Sequence, residues 1–143
     1  MLASKLRFYS RLQLAAASLK KAADAALLGA AGLTTAQAAL MTVIAGEAGA
    51  TQKYVARALG LNESAVTAMV TRLMRSGFVA RTRSPDDARA WCLTLTEAGR
   101  AALDRAAGPF QTINAGIEES LADHDLKTVT EALDRLTARF GKD

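Results

Sequence analysis

One cysteine, one histidine, two prolines and a 5% share of aromatic residues set the first limits on this chain. Cys92, being alone, cannot close an intrachain disulfide, and His124 has no second imidazole with which to build a zinc site. The carboxylates of Asp123 and Asp125 beside it are the groups a helix start favours, so no metal is expected there. No apolar run approaches the roughly 20 residues of a membrane span. The opening MLASKLRFYSRLQLAAASLKK spreads its charges throughout, unlike an export signal, and with so little cysteine a reducing cytoplasm is the expected compartment. A Gly-rich phosphate loop is missing, as is any Ser/His or Cys/His pairing, so neither enzymatic activity nor a cofactor is expected.

What is present is alanine and aliphatic side chain: half of the 143 residues are hydrophobic, and two prolines leave long stretches free to be helical. That length suits one domain with a core of its own. Its organising stretch is 51–96. Val55, Ala58 and Leu59 share a helical face that ends at Gly60, and Asn62 is placed to cap a second helix immediately afterwards. In that second helix Val66, Met69, Val70 and Leu73 form an inward stripe. Ser64, Thr67, Ala68, Thr71 and Arg75 form another face of small, polar and basic groups. Two helices joined at a tight glycine turn, the second with short side chains near its start, match a recognition helix entering the DNA major groove.

Beyond Gly77 the period changes from helical to alternating: residues 78–83 and 89–95 read as strands, and Ser84-Pro85-Asp86-Asp87 reads as the turn between them. In such a hairpin residues two apart project to one side, so the Asp87 carboxylate is positioned to extend the Arg89 guanidinium towards a narrow minor groove. A surface ion pair of little consequence is the alternative. With Asp87-Ala88-Arg89, Leu93-Thr94-Leu95-Thr96, Leu33-Thr34 with Gln37, Thr51-Gln52 and Leu59-Gly60-Leu61 in place, the chain resembles the MarR family of bacterial transcriptional regulators. The resemblance implies a mainly α fold with a small β-hairpin wing, in which N- and C-terminal helices build a dimer and small aromatic or lipophilic effectors enter between the lobes. Phe8, Tyr9, Met41 and Phe110 are the apolar candidates for such a cleft, though each suits a core better. Redox sensors of the family use a cysteine near the N-terminal helix; here there is only Cys92, which reads as a small strand residue.

Charge is unevenly placed. Residues 51–91 carry seven basic groups against three acidic ones, which is the whole net charge of +4. A basic surplus confined to the helix-turn-helix and wing is what phosphate binding requires. A winged-helix module that binds protein, the competing function class, has no need of it. The candidate DNA-contacting set is therefore Gln52, Lys53, Ser64, Thr67, Thr71, Arg72, Arg75, Arg83, Asp87 and Arg89. Tyr54 suits either a phosphate contact or packing.

The flanks read as helices with too little to pack on. One spans about Ser4 to Leu28, with Leu6, Leu12, Ala16, Leu19, Ala23 and Leu27 on a stripe and Lys5 off it, and Gly29 and Gly32 end it. Thr34 and Gln37 form a capping box for the next, whose Leu40, Met41, Val43 and Ile44 are core, and 46–50 is a loop. Thr96 caps a further helix to about Glu119 with a break or kink at Gly108-Pro109. The last starts near 121–123, carries Leu126, Val129, Leu133, Leu136 and Phe140, and ends in Arg135, Arg139 and Lys142. Residues 34–96 are thus expected to form the DNA lobe, with 1–33 and 97–143 forming a dimerisation lobe.

Overall fold

The structure, a computed structural model, describes the backbone of residues 2–141 and the side chains from residue 7 to residue 141; Lys5, Leu6 and Lys142 of the stripes above fall outside the described side chains. Six helices and one hairpin follow in the order α1 (Leu2–Ala31), α2 (Thr35–Gly46), α3 (Gln52–Leu59), α4 (Glu63–Arg75), β1 (Val79–Arg83), β2 (Trp91–Leu95), α5 (Glu97–Ser120) and α6 (Leu126–Phe140). The mainly α fold with a hairpin wing is as expected.

Local chemistry explains the boundaries of the central part. Thr34, Thr51, Asn62 and Thr96 each sit in extended conformation and accept a backbone N–H of the first turn through the side chain. At Thr34 the bond is reciprocated, because the Gln37 side chain accepts from the Thr34 N–H at 3.0 Å. Gly60 stops α3 in the left-handed conformation (φ +63°), and the Asn62 cap follows at once.

The core lies where α2, α3, α4, the hairpin and the C-terminal half of α1 meet α5. Leu27, Leu33, Leu40, Met41, Val55, Val66, Val70, Leu73 and Leu93 are fully buried there. The hairpin is antiparallel, with Val79 opposite Leu95, Arg81 opposite Leu93 and Arg83 opposite Trp91. Leu93 also donates its N–H to the Ala50 carbonyl at 2.7 Å, which ties the 47–51 loop to the wing base.

Several expectations are corrected. α1 runs through Gly29 and stops only at Gly32 (φ +68°), since the helix formers around Gly29 outweigh the roughly 1 kcal/mol cost of one glycine. Of its stripe Ala23 and Leu27 are buried and Leu12 is half-buried, but Ala16 and Leu19 are exposed. In α3 it is Ala56, not Ala58, that is buried beside Val55, because α2 and α4 press on the helix from two directions. Of the break or kink expected at Gly108-Pro109 the break is absent, since α5 runs as one helix through it; proline forfeits one N–H, and packing along α1 keeps the flanking turns helical. α6 begins at Leu126, not near 121, because Asp125 is the residue whose carboxylate accepts from Lys127 N–H (3.1 Å) and the Thr128 hydroxyl (2.7 Å). The Thr128 hydroxyl holds that carboxyl below its ordinary pKa.

Among the effector candidates Met41 is fully buried and Phe110 packs half-buried against the core, whereas Phe8 and Tyr9 are 65% and 63% exposed. α6 buries no residue at all, and its Phe140 is 75% exposed. No single helix among the described residues is long and apolar enough to cross a membrane; α1 and α2 pass that test only jointly, bent by 66° at their break.

Candidate nucleic-acid interface

Capping and the Gly60 turn aim the N-termini of α3 and α4 into one region, and the hairpin closes it from the side. A cleft of about 360 Å³ results, lined by Thr51, Gln52 and Lys53 of α3's start, Glu63 and Thr67 of α4, and Arg81, Ala90, Trp91 and Leu93 of the wing. Gln52, Lys53 and Thr67 of the candidate set are thus brought together. Arg81 and Trp91, absent from that set, stand with them. The strand alternation was the signal for Arg81, since it shares a face with Arg83; nothing in the sequence marked Trp91 beyond its being the sole tryptophan.

The Thr67 and Thr71 hydroxyls donate to carbonyls one turn back, Glu63 and Thr67, each at 2.8 Å. Their protons are used, so outwardly they offer methyl groups and oxygen lone pairs, suited to a thymine methyl or an adenine or cytosine amino group. Ser64 donates to the Asn62 side-chain oxygen at 2.9 Å and so braces the cap. The Gln52 side-chain amide lies 3.3 Å from the Thr67 hydroxyl, with its Nε2 buried and unpartnered when Oε1 faces that hydroxyl. Because Thr67 has already given its one proton to Glu63, turning the amide end for end gives Nε2 an acceptor in the Thr67 oxygen. Gln52 then locks the start of α3 to the recognition face.

Lys53, Arg57, Arg72, Arg75, Arg81, Arg83 and Arg89 are all exposed. Among the described residues none of them pairs with a carboxylate; the ion pairs present are Lys20–Asp24 and Lys127–Glu131. The seven cations lie on α3, α4 and the wing, outside any ion pair, and Lys53 and Arg81 line the cleft itself beside the Glu63 carboxylate. Their surplus over the nearby acids gives that part of the chain a positive field. Tyr54 is also exposed, on the first turn of α3.

At the wing the structure departs from the expectation. Asp87 and Arg89 lie in the tip between the strands, not in a strand, so alternation does not govern them. The Asp87 carboxylate accepts from the Arg89 backbone N–H at 2.9 Å and makes no ion pair with its guanidinium. Arg83 is folded inward: its guanidinium carbon lies 3.9 Å from the Trp91 ring centroid and its Nη1 donates to the Ala88 carbonyl at 2.9 Å. Cys92 is buried in β2, where Gly49 of the loop approaches its sulfur. Among the described residues no group of three metal-ligating side chains converges.

A second cleft, about 990 Å³, runs between the α3–α4 turn and the C-terminal end of α6, lined by Leu59, Leu61, Asn62 and Thr137 among others. None of Phe8, Tyr9, Met41 or Phe110 lines it.

The MarR family model matches residues 31–90, which spans α2 to the wing tip. A transcriptional regulatory protein assigned to the hcr operon of Thauera aromatica is 30% identical over 105 residues, 73% of this chain but only 63% of that relative's length. Among solved structures the chain is similar to the transcriptional regulator MosR of M. tuberculosis in complex with DNA, at 28% identity and a TM-score of 0.77, covering 91% of this chain and 92% of that one. CouR from Rhodococcus jostii RHA1, solved with p-coumaroyl-CoA, matches at 25% identity and a TM-score of 0.77, covering 100% and 97%.

Proposed function

The chain belongs to the MarR family, and from that premise we propose that it is a double-stranded DNA-binding transcriptional repressor, acting as a homodimer on a pseudo-palindromic operator and released by a small aromatic or lipophilic effector. The observation that carries the reading is the set of seven exposed basic side chains on α3, α4 and the wing, none in an ion pair among the described residues and two of them, Lys53 and Arg81, lining the cleft, beside a helix face of small hydroxyl side chains. Lys53, Arg72 and Arg75 supply phosphate contacts, Thr67 and Thr71 face base edges in the major groove, and Arg89 enters the adjacent minor groove. MosR in complex with DNA supports the binding mode. CouR with an aromatic thioester supports the effector class, for which the cleft between α6 and the α3–α4 turn is one seat of adequate size.

Homodimer formation is supported by the apolar side chains that the single chain leaves uncovered on α1 and α6, namely Phe8, Tyr9, Leu14, Leu133, Leu136 and Phe140. Two winged units related by a two-fold axis require half-sites about one helical turn, roughly 10 base pairs, apart.

Selection of duplexes from a random library by the full chain, followed by a salt titration on the enriched sequence, tests the proposal. About half of the basic groups on phosphate in each subunit makes on the order of seven contacts and a slope of log K on log salt near −6. Failure to enrich any sequence, or a flat salt dependence, would turn the reading to a protein-binding winged helix.

A further inference from the structure

Arg83 closes β1, Trp91 opens β2, and the register sets them opposite each other on the hairpin face that also carries the buried Val79, Leu93 and Leu95. Their pairing is a guanidinium over an indole face at 3.9 Å, the aromatic surface that binds cations best. The same guanidinium holds the Ala88 carbonyl at 2.9 Å, and so joins the strand ends to the far side of the tip.

Around that bridge the tip is closed by short-range bonds. Ser84 donates its N–H to the Ala90 carbonyl and Ala90 donates to Asp87, both at 3.0 Å. The Asp86 and Asp87 N–H groups reach the Ser84 hydroxyl at 3.3 and 3.4 Å, and the Arg89 N–H reaches the Asp87 carboxylate. Arg89 thus follows directly on the anchored Ala88 carbonyl, and among the described residues nothing holds its own guanidinium.

We propose that Arg83 is a positioning residue of the wing: stacked on Trp91 and bonded to Ala88, it holds the tip in the shape that presents Arg89, and it makes no phosphate contact itself. One face of its guanidinium and its Nη1 are already engaged by these two partners. Holding the tip in one conformation before binding lowers the ordering cost of inserting Arg89 into a groove. Trp91 also lines the cleft with Gln52 and Thr67, so it stands on the side of the wing that faces the helix-turn-helix. The inference rests on the DNA-binding reading, and the test separates the two.

The first arm needs no DNA. Trp91 is the sole tryptophan, so its emission in the full chain reports the stack directly. Arg83→Met is expected to shift that emission and to speed Asp-N cleavage before Asp86 and Asp87 about tenfold, as loss of one cation–π contact and one hydrogen bond allows. Arg89→Met should change neither. The second arm uses the duplex enriched by the wild-type chain. Arg83→Met and Trp91→Leu should each weaken binding about five- to tenfold with the same salt slope, and the double variant should be no worse than either, although Trp91→Leu removes no charge.

Wild-type affinity for Trp91→Leu, with a slope reduced by about one per subunit for Arg83→Met, would make Arg83 a phosphate contact and overturn the proposal. Unchanged emission and cleavage in Arg83→Met would overturn it without reference to DNA. If the wild-type chain enriches no duplex, the DNA-binding reading fails and takes the proposed role with it, while the first arm still shows whether the clamp exists.

Discussion

The carboxylate of Asp87 holds the main chain of Arg89, accepting its backbone N–H at 2.9 Å, and leaves the guanidinium free. This distinguishes two ways in which an acidic residue can serve a neighbouring arginine. Bracing the guanidinium requires a charge; bracing the backbone requires only an acceptor. Asp87→Asn, which keeps an acceptor, should therefore bind the operator nearly as well as wild type, whereas Asp87→Ala should lose about 1 kcal/mol per subunit. Arg89→Ala should lose about 1 to 3 kcal/mol per subunit, and adding Asp87→Ala to it should cost little more. Operator affinities of these four variants decide the matter: an Asn variant as weak as the Ala variant would restore the direct ion pair.

Gly99 and Gly29 are expected to respond to alanine in opposite directions. Gly99 is buried in the first turn of α5, with its N–H on the Thr96 hydroxyl at 3.0 Å, and a methyl there runs into the Phe78 carbonyl oxygen. That carbonyl also accepts the Thr96 N–H at 3.0 Å and is not free to move. Gly99→Ala should destabilise the chain by about 2 to 3 kcal/mol. Gly29 lies inside α1 with open space where a Cβ would stand, so Gly29→Ala should stabilise by about 0.5 to 1 kcal/mol. Thermal unfolding of the two variants checks the signs; a destabilised Gly29→Ala would mean that a second chain packs against that point.

The helix-turn-helix was legible because its signals are local. Thr34, Asn62 and Thr96 announce caps through side chains that bond their own first turn, and the stripe from Val66 to Leu73 faces a core within the same chain. The readings that needed correction depend on distant residues. Proline at 109 is a breaker by local rule, but α5 packs along α1 and stays helical across it. Arg83 shows its charge in the sequence, but not the indole that register places opposite it. The seven-residue tip defeats alternation, so Asp87 and Arg89 could not be oriented by counting in twos.

The uncovered faces of α1 and α6 make dimerisation a stability prediction as well as a functional one. Leu133, Leu136 and Phe140 recur at helical spacing on α6, which buries none of its residues within one chain. Leu133→Glu combined with Phe140→Asp should shift the protein from dimer to monomer in sedimentation and reduce its helical content, since an amphipathic 15-residue helix without a partner is marginal in water. The melting temperature of the wild-type chain should rise with protein concentration, and that of the variant should not. A monomeric wild-type chain at micromolar concentration would remove the dimer.

Asp24 fixes where α1 meets α2, and it does so as an anion. Its carboxylate accepts from the Thr35 hydroxyl at 2.6 Å, from the Thr35 N–H at 2.7 Å and from the Lys20 ammonium at 2.9 Å. Thr35 is the first residue of α2, so the charge also sits where that helix has unsatisfied N–H groups. The Thr35 bonds first, and the Lys20 ammonium after them, lower the pKa from 3.8 to about 2. A carboxyl depressed in the native state is protonated first in the unfolded chain. Its contribution is therefore fully present above about pH 4, is lost as the pH falls from about 4 to about 2, and is absent below that. Solvent screens a side chain that is 20% exposed and reached by a surface lysine, so the contribution is set at about 1 kcal/mol. Asp24→Asn should lose that amount at neutral pH and nothing once the pH is well below about 2. Urea midpoints for both proteins across this range give the test, because other carboxylates are common to the two curves and cancel in their difference. A difference that stays constant with pH would mean that Asp24 acts as a neutral hydrogen-bond acceptor, not as a charge.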